Sequence, residues 1–143
     1  DGMNKPYWLR MSFPDAVTSI VRSSLKAGLW RGTAAERLVV LKGLNERLSA
    51  FYGVPACSVT IRQTPLGPHY IPGDGRIVLD KVSITSYLHE LGHHLLHCRS
   101  KPQQETFPRA FSLSLFFRSA PRAFEAARAS GRLLFTEGGT PHA

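Results

Sequence analysis

Apolar residues recur along the chain with two different periods, and the changes of period divide it into elements. Val17, Ile20, Val21 and Leu25 stand at helical spacing behind Ser12-Phe13-Pro14-Asp15, which offers a cap residue, a first-turn proline and an early acid. A first helix ending near Gly28 is predicted. Leu38, Leu41, Leu44 and Leu48 follow Thr33-Ala34-Ala35-Glu36, a capping-box pattern, and Gly53 stands where a helix C-cap falls. This is the second helix.

The period then shortens. Residues 57–63, Cys-Ser-Val-Thr-Ile-Arg-Gln, favour a strand, while His69-Tyr70-Ile71 and Arg76-Ile77-Val78-Leu79 flank the turn sequence Pro72-Gly73-Asp74-Gly75. These three pieces predict a small antiparallel β-sheet. Helical spacing returns after Ser83, which can cap a helix from about Ile84 to Cys98; Gln103 to Arg118 and Pro121 to Ser130 read as two more, stopped at Gly131. Helix, helix, sheet, helix, helix, helix is an α+β order, unlike the strict alternation of a parallel α/β fold.

Length and composition narrow the setting. A chain of 143 residues, 43% hydrophobic and 20% charged, fits one soluble domain, read as residues 3–143, with the Asp1-Gly2 pair taken as a cloning remnant ahead of a native start at Met3. No apolar run approaches the roughly 18 residues that span a bilayer and no signal peptide is evident, so a cytoplasmic protein with no membrane partner is expected. Cys57 and Cys98 lack CxxC spacing, which excludes a four-cysteine zinc site and predicts free thiols. The net charge of +8 and the pI of about 10.1 suggest an acidic partner. Arg99, Lys101, Arg109, Arg118, Arg122, Arg128 and Arg132 crowd the C-terminal part, either as a solvated helix surface or as a docking surface.

The chemistry lies in His89-Glu90-Leu91-Gly92-His93-His94-Leu95-Leu96-His97. On a helix, His89 and His93 fall within about 40° of each other one turn apart, so two imidazoles can point at one ion. Ile84, Tyr87, Leu88, Leu91, Leu95 and Cys98 form a broad opposite face for burial. Glu90 lies about 100° from His89, poorly placed to share the ion but suited to act as general base on a water at the metal. Catalytic zinc takes a third protein ligand and keeps a fourth position open. Glu105 is the favoured third ligand, because it begins a segment able to fold back along the histidine helix, and Pro108 is tolerated in a first helical turn. His97 is the rival, although His89 and His97 would stand about 12 Å apart on an unbroken helix. His94 and His97 are then supporting or surface residues. Tyr70, His69 and Tyr87 are candidate donors to an oxyanion or substrate, and the hairpin edge around Ile77 to Leu79 is a candidate for holding an extended peptide by strand addition.

With these residues in place, the sequence resembles the ImmA/IrrE family of small zinc metallopeptidases. The resemblance runs from about Ala34 to Arg118 and is carried by Gly75-Arg76-Ile77-Val78-Leu79-Asp80, Tyr87-Leu88, the HELGHHLLH stretch, and Glu105-Thr106-Phe107-Pro108-Arg109-Ala110-Phe111-Ser112-Leu113-Ser114-Leu115. It implies a minimal zincin-like domain in which His89, His93 and Glu105 bind Zn2+ and Glu90 is the catalytic base. It further implies a helix-turn-helix transcriptional repressor as protein substrate, released in stress response, with the basic helix at about 121–130 able to approach DNA only indirectly or weakly. Two other readings stand beside it. One is a non-catalytic, zinc-stabilised module binding DNA or protein, for which Glu90 has no use. The other is a SprT-like protease working at DNA, which wants a third histidine ligand.

Overall fold

The computed structural model describes residues 6–133; the proposed start at Met3 and residues 134–143 lie outside them. Among the described residues the architecture is α+β, with five α-helices and one three-stranded sheet. Helices α1 (Asp15–Ser24) and α2 (Ala34–Tyr52) precede strands β1 (Ser58–Ile61), β2 (His69–Ile71) and β3 (Arg76–Leu79). Helices α3 (Ile84–Cys98), α4 (Thr106–Ser119) and α5 (Pro121–Ala129) follow.

Local chemistry accounts for most of these boundaries. In α2, Thr33 Oγ1 accepts from the Glu36 N–H while the Glu36 carboxylate accepts from the Thr33 N–H, and Gly53 closes the helix in the left-handed conformation at φ 68°. Ser83 caps α3 by accepting from the Ser86 N–H. α1 departs from expectation: it begins at Asp15, Pro14 precedes it in extended geometry, and Ser12 makes no cap. Its end is a single widened turn, Leu25–Leu29, which runs past Gly28 at φ 118°.

The sheet is mixed, not antiparallel. Its order is β1-β3-β2, with β1 parallel to β3 and β2 antiparallel to it. The Pro72–Gly75 turn does join β2 to β3 as a hairpin, with the Gly75 N–H bonded to the Pro72 carbonyl. The connection from β1 to β2, carrying Pro65, Gly67 and Pro68, instead leads past the place beside β1 and leaves it to β3. Burial decides the order. Ile77, Val78 and Leu79 are all inaccessible to solvent and suit a strand paired on both sides, whereas every residue of β2 is only half-buried. Ile77 to Leu79 therefore offer no open edge for peptide addition; β2 does.

α3 packs on β2 and β3 and, more extensively, on α4. Leu88 and Leu91 are fully buried on its inner side with Ile77, Leu79, Phe111 and Leu115 in the same core. At about 1.5–3 kcal/mol for each large apolar side chain removed from water, this burial far outweighs the cap in holding α3. Cys98, expected on that face, is exposed at the last turn. No helix among the described residues is long and apolar enough to cross a membrane.

Candidate metal centre

α3 presents His89 and His93 side by side, their ring centroids 5.1 Å apart. Glu105, the residue immediately before α4, closes the group: its Oε1 lies 2.9 Å from His89 Nε2 and its Oε2 3.1 Å from His93 Nε2. One donor atom from each of the three falls within 4.8 Å of the others. Among the described residues no other set of three His, Cys, Asp or Glu side chains converges in this way. Glu105, and not His97, is thus the residue that joins the two histidines.

A glycine allows this approach. A Cβ on Gly92 would stand 2.8 Å from the Pro108 Cα, a backbone atom that cannot step aside. The glycine between the histidines lets the first turn of α4 press against α3, and Glu105 enters with it. Buried Ser112, donating to the Thr85 carbonyl at 2.8 Å, fastens the two helices further along. Glu105 is free for this task because Gln104 takes over the capping, its Oε1 accepting from the Phe107 N–H at 2.8 Å. Gln103 meets His93 twice, with Nε2 donating to the His93 carbonyl at 2.9 Å and Oε1 standing 2.7 Å from His93 Nδ1.

Two imidazoles and a carboxylate form a donor set that divalent first-row cations accept. Burial holds the His89 pKa below its ordinary value, against the opposing pull of Glu105, and so favours the neutral ring that a cation requires. The residues present fit such an ion. Glu90 lines the same cleft, a space of about 300 Å³ bounded also by Pro68, His69, Tyr70 and Pro72. It is buried, and that burial, with the charge of Glu105 second, pushes its carboxyl up to about 8.

The three candidate oxyanion donors separate. Tyr87 lies outside the cleft: it is fully buried and its hydroxyl donates to Asn45 Oδ1 at 2.8 Å, while Asn45 Nδ2 donates to the Cys57 carbonyl. It is a core residue tying α3 to α2. Tyr70 lines the cleft, but its hydroxyl is 2.6 Å from His94 Nδ1, and His94 Nε2 is 2.7 Å from the Pro55 carbonyl. A carbonyl only accepts, so Nε2 carries the His94 proton and Nδ1 must take the proton of Tyr70. His94 therefore has a structural role, and the Tyr70 hydroxyl is already committed. His69 lines the cleft with Nδ1 donating to the Gly67 carbonyl at 2.7 Å, so its Nε2 donates only when the ring is protonated. His97 is exposed and packs edge-on against Tyr70, with centroids 6.2 Å apart.

The basic residues of the C-terminal part are partly occupied within the fold. Arg118 donates to the Leu9 and Met11 carbonyls, Arg128 pairs with Glu125, Arg132 donates to Ser130 Oγ, and Arg99 lies over the Tyr52 ring. No family model matches this chain, and no curated protein or solved structure matches it.

Proposed function

We propose that the chain is a zinc-dependent endopeptidase of the ImmA/IrrE type, a minimal zincin-like domain acting in the cytoplasm on a protein substrate, with a helix-turn-helix transcriptional repressor as the preferred class. The observation that carries this reading is the position of Glu90: a buried carboxyl lining the same cleft as the convergent His89, His93 and Glu105. A site that only braced the fold would have no use for it.

His89, His93 and Glu105 would hold the ion, which when bound supplies Lewis acidity to a substrate carbonyl and to water. Glu90 would take the proton of the attacking water and pass it to the leaving amine, its carboxyl lining the same cleft as the three ligands. The outer edge of β2, beside the cleft, offers backbone N–H and C=O groups to an extended peptide, which would align the scissile bond without reading its side chains. The His69 ring, at the same rim, would steady the oxyanion only as an imidazolium, because its Nδ1–H is held by the Gly67 carbonyl.

The test is cleavage of repressors encoded near this gene by zinc-loaded wild type and Glu90→Gln, with bound zinc quantified in both. Loss of roughly 10²–10⁴-fold in rate with zinc retained is expected for removal of a general base. Undiminished cleavage by the variant would overturn the role of Glu90. Zinc-loaded wild type that cleaves none of these repressors and no unfolded protein, yet binds DNA with strong salt dependence, would favour a binding module instead.

A further inference from the structure

We propose that Gln103 is the positioning residue of this metal centre: it dictates which nitrogen His93 presents and ties the segment carrying Glu105 down onto α3. The inference rests on the metal-binding reading of His89, His93 and Glu105, and adds to it a residue that touches no ion.

The two bonds between Gln103 and His93 determine each other. The His93 carbonyl can only accept, so the amide nitrogen of Gln103 must be the end that faces it, at 2.9 Å. The amide oxygen is then the end 2.7 Å from the imidazole, and an amide oxygen also only accepts. His93 Nδ1 must therefore carry the proton. The neutral ring has no other, so Nε2 keeps a bare lone pair, and it is Nε2 that faces Glu105 Oε2 at 3.1 Å. In the neutral ring two acceptors then face each other, a pairing that only a proton or a metal cation between them makes favourable, and Nε2 is the atom left to receive it.

The alternative shows what Gln103 prevents. Without it, His93 can move its proton to Nε2 and donate to Glu105, giving a histidine–carboxylate pair that is satisfied by itself and that an ion must first break. The same amide also anchors the connection. Residues 99–105 are exposed throughout, and the Glu105 side chain is 60% exposed, so little apolar burial holds the third ligand in place. Gln103 stands two residues before it and is bonded to both the side chain and the backbone of the second ligand. Partners of this kind, which fix the tautomer and orientation of a ligating histidine, typically contribute 10–100-fold to metal affinity.

The experiment uses the full chain and Zn2+ in competition with a chromophoric chelator, comparing wild type with Gln103→Ala and Gln103→Glu. Gln103→Ala should bind Zn2+ about 10–100-fold more weakly. Gln103→Glu keeps an acceptor for Nδ1–H but loses the donor to the His93 carbonyl, so it should restore the His93 tautomer and recover only part of that loss. Long-range ¹H–¹⁵N correlation spectra of the zinc-free protein should show His93 protonated at Nδ1 in wild type and shifted towards Nε2 in Gln103→Ala. Equal affinities across the series, or a neutral wild-type His93 protonated at Nε2 and not at Nδ1, would overturn the role of Gln103; the latter reading needs no variant to fold. Wild type that binds no Zn2+ at all would instead remove the metal centre itself, so the two failures are told apart.

Discussion

α3 and the connection that follows it build the same site by opposite means. α3 is mostly buried, its inner side sunk in the core with Leu88 and Leu91, so His89, Glu90 and His93 inherit their positions from apolar packing. Residues 99–105 are exposed throughout, and their consecutive Gln103, Gln104 and Glu105 are placed by hydrogen bonds: one to His93, one to the start of α4, one into the histidine pair. The contrast teaches that the fold and the third ligand are separable. Disturbing α3 changes stability first, while disturbing the connection changes the metal centre first.

The largest expected effect lies on the buried side. Glu90 keeps a raised pKa of about 8 in the folded, metal-free protein, against an ordinary 4.5. The native state therefore binds more protons than the unfolded state between these values, so stability falls as pH rises through that window and levels off above about 8. At 1.36 kcal/mol per unit the full span is about 3–5 kcal/mol. With chelator present, Glu90→Gln should match wild type near pH 4 and exceed it by about that amount at pH 8, measured by urea unfolding across pH. Parallel pH profiles for the two proteins would show that Glu90 is not a strained acid. The same substitution that abolishes the proposed activity would thus stabilise the chain.

Next in size is the contact where the two regions meet. Gly92→Ala places a methyl 2.8 Å from the Pro108 Cα, and the first turn of α4 has to move away. Overpacking of this kind costs about 1–3 kcal/mol. Because Glu105 moves with that turn, Zn2+ affinity should fall as well, whereas Gly43→Ala, in the middle of α2 with nothing within 4 Å of its Cβ, should do neither. Chemical denaturation and chelator competition on both variants decide it. A Gly92→Ala protein as stable and as tightly binding as wild type would show that the close approach of α3 and α4 is not what delivers the third ligand.

This contrast also explains what was legible in the sequence. The bounds of α3, the capping box of α2 and the pairing of His89 with His93 follow from local spacing, and Glu105 could be nominated because few acids follow the histidines. The order of the sheet was not legible. A turn sequence announces the β2–β3 hairpin, but nothing local announces that β1 would lie parallel to β3, a pairing of residues 18 apart in sequence, such as Ser58 with Arg76. Tyr87 and Tyr70 were equivalent on paper; only the distant partners Asn45 and His94 separate a core tyrosine from one at the rim of the cleft. Gln103 and Gln104 read from the sequence as the opening of a helix, but α4 begins at Thr106 and both lie in the exposed connection before it, where their side chains bond His93 and the Phe107 N–H instead of continuing a helical turn.

The smallest effect tests the connection alone. Gln104 accepts from the Phe107 N–H, satisfying one of the donors left open at the start of α4. Loss of a capping acceptor costs about 0.5–2 kcal/mol, and this one is exposed, so Gln104→Ala should sit near the lower end and lower Tm by only about 2 °C. The telling measurement is local. Hydrogen exchange at the Phe107 amide should quicken while the amides of α3 keep their protection, and Zn2+ binding should weaken by less than in Gln103→Ala, since His93 keeps its clamp. If Gln104→Ala instead weakens Zn2+ binding as much as Gln103→Ala, the connection acts as one cooperative strap and the division of labour among its three consecutive side chains is wrong. If exchange at Phe107 is unchanged, the cap does not order the first turn of α4, and Glu105 is held in place by the Gly92–Pro108 contact and Gln103 alone.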